Sequence, residues 1–314
     1  MTSLINSVGA AAPPVAPPKR RRGSASRQRR LVGFLMALPA IVLVVTFFIV
    51  PLVLTFWISL NDWSLLGQPQ FIGISNYVQA FSDSTFGGAM GFTLLYTVII
   101  TPVLFLLGLA LAFLVRRRGR ASQVFQSIYF MPVCIGFASG AFLWLYLGQP
   151  QIGPLLSLLQ SLGLANANTN LYTSMWGAMT VVIAMVTWKV VGLQMLLLLS
   201  GLQSIPEEVN EAARIDGANA WQLFLRITLP LLRPTLALVL VFSVAGSLLA
   251  FDQFYIMTNG GPANSTITAV YQIYRTSFIS FRLGYGAALS VLLMIILAIV
   301  SAVQLLLLRN TDNN

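Results

Sequence analysis

Several runs of this chain stay apolar for about 20 residues or longer, and that fixes the kind of solvent it folds in. At ~1.5 Å of rise per residue, a helix of about 20 residues crosses the ~30 Å hydrocarbon core of a bilayer. Six such segments are predicted, at about 32–60, 90–115, 124–147, 174–202, 233–257 and 284–308, with ends uncertain by ~2–4 residues. The expected fold class is all-α: a polytopic membrane protein with six transmembrane helices and short polar connectors.

Composition narrows the functional classes. The chain is 57% hydrophobic and 8% charged, so no sizeable water-soluble domain is encoded. Cys134 is the one cysteine and histidine is absent. An intrachain disulfide framework, a Cys-based cluster and His-ligated metal are therefore excluded, and no catalytic or metal-ligating constellation is expected. The net charge of +10 hints at nucleic acid, but its distribution points to topology instead.

Residues 1–30 are Ala/Pro-rich and then basic, with Lys19, Arg20, Arg21, Arg22, Arg27, Arg29 and Arg30, and read as a disordered cytoplasmic tail ahead of a transmembrane domain at 31–310. A signal peptide is disfavoured, because the run from Leu31 to Leu60 far exceeds an h-region of ~7–15 residues. With the N-terminus inside, Arg116, Arg117, Arg118, Arg120, Arg214, Arg226, Arg233 and Arg309 all fall on the inner side. Only Arg275 and Arg282 fall outside, and Lys189 lies within the fourth segment. N-in, C-in is the expected orientation.

Among the outer connectors, Trp63 and Tyr77 suit a membrane–water interface, Leu155–Leu164 suits a short interfacial helix, and Gly260-Gly261-Pro262 demands a turn. The inner connector from Ser204 to Pro230 stands out. It holds Glu207, Glu208, Glu211 and Asp216, four of the eight acidic residues. Ser204-x-x-Glu207 predicts a capping box with Pro206 in the first turn and a helix to about Ile215. Asp216-Gly217 closes it, and a second helix is predicted over Ala218–Ile227. Such a helix-turn-helix is either a plain re-entry loop or a docking knob, in which small Ala212 and Ala213 beside Glu211 admit a partner closely.

The run E-A-A-R-I-D-G-A followed by W-Q-L-F-L-R-I-T-L-P closely resembles the EAA loop of permease subunits in binding-protein-dependent ABC importers. F-I-G-I-S-N-Y at 71–77 and F-D-Q-F-Y-I-M-T-N-G-G-P also resemble the carbohydrate-uptake branch, specifically its maltose-type and glycerol-3-phosphate-type first permease. The resemblance implies a second permease, two ATPase subunits, an extracytoplasmic binding protein and a bacterial or archaeal cell membrane. It implies that loop 204–230 is a coupling helix element, with Glu211, Ala212, Ala213, Asp216 and Gly217 meeting an ATPase. No G-x-x-x-x-G-K-[ST] occurs in the chain, so no cofactor is expected on it; ATP and Mg belong to the partner ATPases.

An ionisable group at membrane depth marks a functional position by default. Lys189 sits midway along the fourth segment, and Asp252 is the nearest acid in a membrane segment. An ion pair between them, attraction of an anionic solute, and a cation satisfied by backbone carbonyls or water are all open readings. By the resemblance, solute-contacting places match Trp188, Lys189, Ser247, Leu249 and Ala250, and Gln253 and Tyr255 can add hydrogen bonds or stacking. The implied solute is a sugar or sugar-derived compound, although Ser247, Leu249 and Ala250 replace asparagines of the maltose-type pattern. The rival reading is an ATP-independent secondary transporter, for which no internal repeat is visible. A membrane enzyme lacks the acid/base groups it needs.

Overall fold

The computed structural model describes residues 24–64, 67–116, 119–150, 152–163, 166 and 169–308, with side chains from Val32 onward. Most of the expected basic tail therefore lies outside the described residues. Two compact units are distinguished, Met1–Leu54 and Thr55–Asn314. In the first, α1 (Ser24–Val44) runs through a π turn at Val45–Ile49 into α2 (Val50–Ser59). Its side chains from Val32 to Leu54 are exposed and almost wholly apolar, a surface suited to lipid or another helix.

The second unit takes in the end of α2 from Thr55 and continues with a two-residue antiparallel pairing of Asn61–Asp62 with Gln70–Phe71, followed by α3 (Ser75–Ser82). Buried Asn76 staples this entry: its Nδ2 donates to the Ser59 carbonyl at 2.9 Å and the Asn61 carbonyl at 3.0 Å. Next comes α4 (Ser84–Leu114), which starts six residues ahead of the predicted position because Asp83 caps it. The Asp83 carboxylate accepts from the Thr85 amide at 2.8 Å and the Phe86 amide at 3.4 Å.

The third segment is not the continuous helix expected. α5 (Arg120–Phe130) passes into a 3₁₀ turn at Met131–Cys134, then meets α6 (Phe137–Leu147) at 98°. Pro132 lacks an amide donor, and Ile135 is extended (φ −79°, ψ 134°), so the helix cannot run through. α7 (Pro154–Ser161) occupies the connector that follows α6, and α8 (Met175–Gln203) is an unbroken helix capped by Ser174.

The fifth segment is also interrupted. α9 (Glu207–Ile215), α10 (Ala220–Leu223), a π turn at Phe224–Thr228 and α11 (Leu229–Leu231) lead to α12 (Arg233–Leu248), with a 71° bend before it. α12 stops at Leu248, and α13 (Asp252–Met257) restarts beyond residues 249–251. The Ala250 carbonyl left free there accepts from Thr268 Oγ1 at 2.7 Å. After the turn around Gly260 (φ +77°), α14 (Ala269–Tyr274) and a π turn at Arg275–Ile279 precede α15 (Leu283–Leu308). By length and composition, four helices can cross a membrane, or six spans result if each bent pair counts as one.

The core forms where α4, α8 and α12 meet. Phe254, from α13, is fully buried and stands edge-on to Phe92 at 5.2 Å and Tyr96 at 5.0 Å. Lower down, Met195, Leu198, Leu199 and Leu202 of α8 pack with Leu109, Ala112, Leu232, Leu236 and Val239.

Candidate functional site

The cavity between these helices measures about 500 Å³ and is mostly apolar. α4 contributes Tyr96 and Ile100, α8 contributes Lys189 and Gln194, and α12 contributes Ser243 and Ser247. Gln253 of α13 and the break at Val133–Phe137 complete the wall. The polar groups are largely engaged with one another. Gln194 Nε2 donates to Ser243 Oγ at 2.6 Å, and Ser243 Oγ donates to the Val239 carbonyl at 2.7 Å. Ser247 Oγ donates to the Val244 carbonyl at 2.9 Å, and the Gln253 amide is hydrogen-bonded to the Tyr96 hydroxyl.

Lys189 is 4% exposed, and its ammonium is turned to the broken third segment. Nζ donates to the carbonyls of Pro132 (3.5 Å), Val133 (3.4 Å) and Ile135, and lies 4.6 Å from the Phe137 ring centroid. The Lys189–Asp252 ion pair entertained from sequence is not what the ammonium makes. Asp252 is exposed in the first turn of α13, where its charge complements the helix dipole.

Of the expected pathway residues, Lys189, Ser247 and Gln253 thus come together at one cavity. Trp188 is half-buried with its ring 6.1 Å from that of Trp144. Ala250 is buried beside Phe254, whereas Leu249 faces outward. Tyr255 belongs to a ring cluster with Phe251, Tyr271 and Tyr274, stacked on Phe251 at 5.2 Å. Tyr96, Cys134, Gln194 and Ser243 were not foreseen. Polar Gln194, five residues beyond Lys189 in an apolar helix, and the Pro132…Gly136 spacing were the available signals.

The 204–230 connector forms two short helices, but not with the predicted cap. Ser204 Oγ donates back to the Gly201 carbonyl at 2.7 Å, and Pro206, in extended geometry, precedes the first turn of α9. The true capping box lies further on, where Asn219 accepts from the Gln222 amide at 2.8 Å and Gln222 Oε1 accepts from the Asn219 amide at 3.0 Å. The second helix consequently starts at Ala220 and continues to Leu231 rather than ending at Ile227.

Between them, Ala218 N–H bonds to the Ala213 carbonyl and Gly217 N–H to the Arg214 carbonyl, with Gly217 at φ +82°. These two bonds are the Schellman closure that a left-handed glycine permits. Glu207 and Glu208 in the first turn and Arg214 in the last complement the dipole of α9. Glu211, Ala212, Asp216 and Gly217 are exposed, while Ala213 is tucked inward. Ile215 at 85% and Trp221 at 68% exposure give the knob an apolar tip.

No group of three or more metal-ligating side chains exists among the described residues. Long apolar helices around an internal cavity, joined by α8 to a projecting helical knob, define a multi-pass membrane translocation subunit. The chain belongs to the family of binding-protein-dependent transport system inner membrane components, whose model matches residues 104–313. It is a transport permease and not an enzyme.

The multiple sugar-binding transport system permease protein MsmF of Streptococcus mutans is 32% identical over 284 residues, covering 89% of this chain and 96% of that protein. The sn-glycerol-3-phosphate transport system permease protein UgpA of Yersinia pestis is 31% identical over 275 residues, covering 86% and 92%. A chain of the bacterial alginate ABC transporter, solved in complex with an alginate pentasaccharide-bound periplasmic protein, superposes with a TM-score of 0.79 at 22% identity. That match covers 92% of this chain and 98% of the other.

Proposed function

We propose that this chain pairs with a second permease to form the pathway through which an ATP-driven importer moves a sugar or sugar-derived solute. An oligosaccharide, a polyol or a glycerol phosphate ester fits this description, delivered by an extracytoplasmic binding protein. Two ATPase subunits bind ATP and Mg and act on the permeases from the cytoplasm. Six spans with both termini inside place the 204–230 loop on that side, in a bacterial or archaeal cell membrane.

The observation that carries this reading is the continuity of α8. Its middle stretch lines the cavity from Val186 to Leu197, and its C-terminal end leads within a few residues into the knob that displays Glu211, Ala212 and Gly217. Glu211 supplies one directed charge to a cleft on an ATPase, Ala212 allows close approach, and Ile215 and Trp221 give the buried apolar contact. Sugar-type relatives and the hydroxyl- and amide-bearing wall at Tyr96, Ser247 and Gln253 support the solute class.

The test is solute-stimulated ATP hydrolysis by the assembled complex. Glu211→Ala and Gly217→Pro are expected to reduce it at least tenfold with assembly intact; unchanged hydrolysis would remove the coupling assignment. Accumulation of a sugar by this chain alone in vesicles would favour a secondary transporter.

A further inference from the structure

The break in the third segment releases backbone carbonyls at membrane depth, where each unsatisfied polar group costs several kcal/mol. The Val133 and Ile135 carbonyls converge on a single ammonium, that of Lys189, together with the Pro132 carbonyl, which also accepts from the Ile135 amide at 3.1 Å. One turn further along α8, Gly192 lets the helix backbone lie directly against Tyr129 and Phe130: a Cβ there would stand 2.0 Å from the Tyr129 carbonyl oxygen. Two contacts on one face of α8 thus fasten the bend, one electrostatic and one steric. Gly140 of α6 approaches the same face, where a Cβ would meet Met185 Cε at 3.1 Å.

We propose that Lys189 is a positioning residue: its ammonium clamps the bent third segment to α8, so that displacement of α8 at the coupling loop moves the cavity wall at 133–137. The clamp rests on the coupling-loop reading above. Its charge is directed to three carbonyl dipoles rather than into the cavity, so it holds the wall and does not receive solute. The chain's single cysteine, Cys134, is exposed, lines the same cavity and lies within the clamped turn. It therefore reports the position of that turn without any introduced label site.

The experiment measures N-ethylmaleimide labelling of Cys134 in the complete importer in lipid, first nucleotide-free and then trapped with ATP and vanadate. In the wild type the rate is expected to differ at least threefold between the two states. Lys189→Met should abolish the difference in complexes that still copurify with both ATPase subunits, and Lys189→Arg, which restores a multi-donor cation, should recover it. If Lys189→Met does not assemble, Lys189→Gln carries the comparison, since it keeps two donors without charge and should retain less than half of the response.

Equal nucleotide response in the wild type and Lys189→Met would overturn the clamp, as would a wild-type rate indifferent to nucleotide. Failure of the coupling-loop reading itself is registered separately, by Glu211→Ala leaving solute-stimulated hydrolysis intact.

Discussion

Gly192→Ala should be among the most damaging single-methyl additions in this chain. The added Cβ would lie 2.0 Å from the Tyr129 oxygen, 2.5 Å from its carbonyl carbon and 2.9 Å from Phe130 Cα, all of them backbone atoms that no rotamer change can move. Ordinary contact requires the two helices to separate by more than about 1 Å, which would also stretch the Lys189 hydrogen bonds one turn away. Overpacking of this kind costs roughly 1–3 kcal/mol, and the backbone clash puts Gly192→Ala at the upper end. Alanine's higher helix propensity returns up to ~1 kcal/mol. The net loss is then about 2 kcal/mol, on the order of a thirtyfold shift in the folding equilibrium. Gly91→Ala in α4 is the matched control, because its Cβ would meet nothing within 4 Å; it should be neutral or slightly stabilising. Reversible unfolding in mixed detergent–SDS micelles reads both. Stabilities within about 0.5 kcal/mol of each other would refute backbone-to-backbone packing at this crossing.

Asn76→Leu deletes both hydrogen bonds from the buried amide and strands the Ser59 and Asn61 carbonyls, for an expected loss of about 2–3 kcal/mol in the same assay; a loss under 0.5 kcal/mol would contradict the staple. For Asp83, burial raises the carboxyl pKa, but hydrogen bonds from the Tyr285 hydroxyl and the Thr85 and Phe86 amides outweigh it and leave the pKa below the ordinary value. Its stabilising contribution is therefore complete above the unfolded-state carboxyl pKa and is lost as pH falls through the lower folded value. Acid titration of stability should show this loss in the wild type and a flatter profile in Asp83→Asn; parallel profiles would rule the contribution out.

What the sequence disclosed depended on whether the cause was local. The apolar lengths of the long spans are legible because bilayer thickness dictates them, and α8 falls within a residue of its expected ends. Pro132 and Gly136 were visible, yet a predominantly apolar run from 124 to 147, long enough for one span, concealed the bend. The gap at 249–251 has no proline or glycine of its own; the Ala250 carbonyl it frees is satisfied by Thr268, 18 residues away, whose hydroxyl donates to it. Ser204 matched a capping pattern but found the Gly201 carbonyl within reach first. Lys189 was conspicuous by depth, whereas its partners are backbone carbonyls, which have no sequence signature.

The close contacts along α8 also bear on how this protein can move. Within lipid there is little hydrophobic drive between helices, so association relies on tight packing and interhelical polar contacts. Gly192 admits Tyr129, and Gly201 admits Thr235 of α12, where a Cβ would stand 2.5 Å from Thr235 Oγ1. Gly108 of α4 similarly admits Gln194, with a Cβ 3.0 Å from the Gln194 Cβ. Helices held at such distances cannot slide without first separating. A push on the C-terminal end of α8 is therefore expected to carry α4, α5 and α12, with the turn that Lys189 holds, together as one body. The freedom to change shape then falls to the interrupted stretch at 249–251, which no contact of Lys189 holds and which lies between Ser247 and Gln253 of the cavity wall.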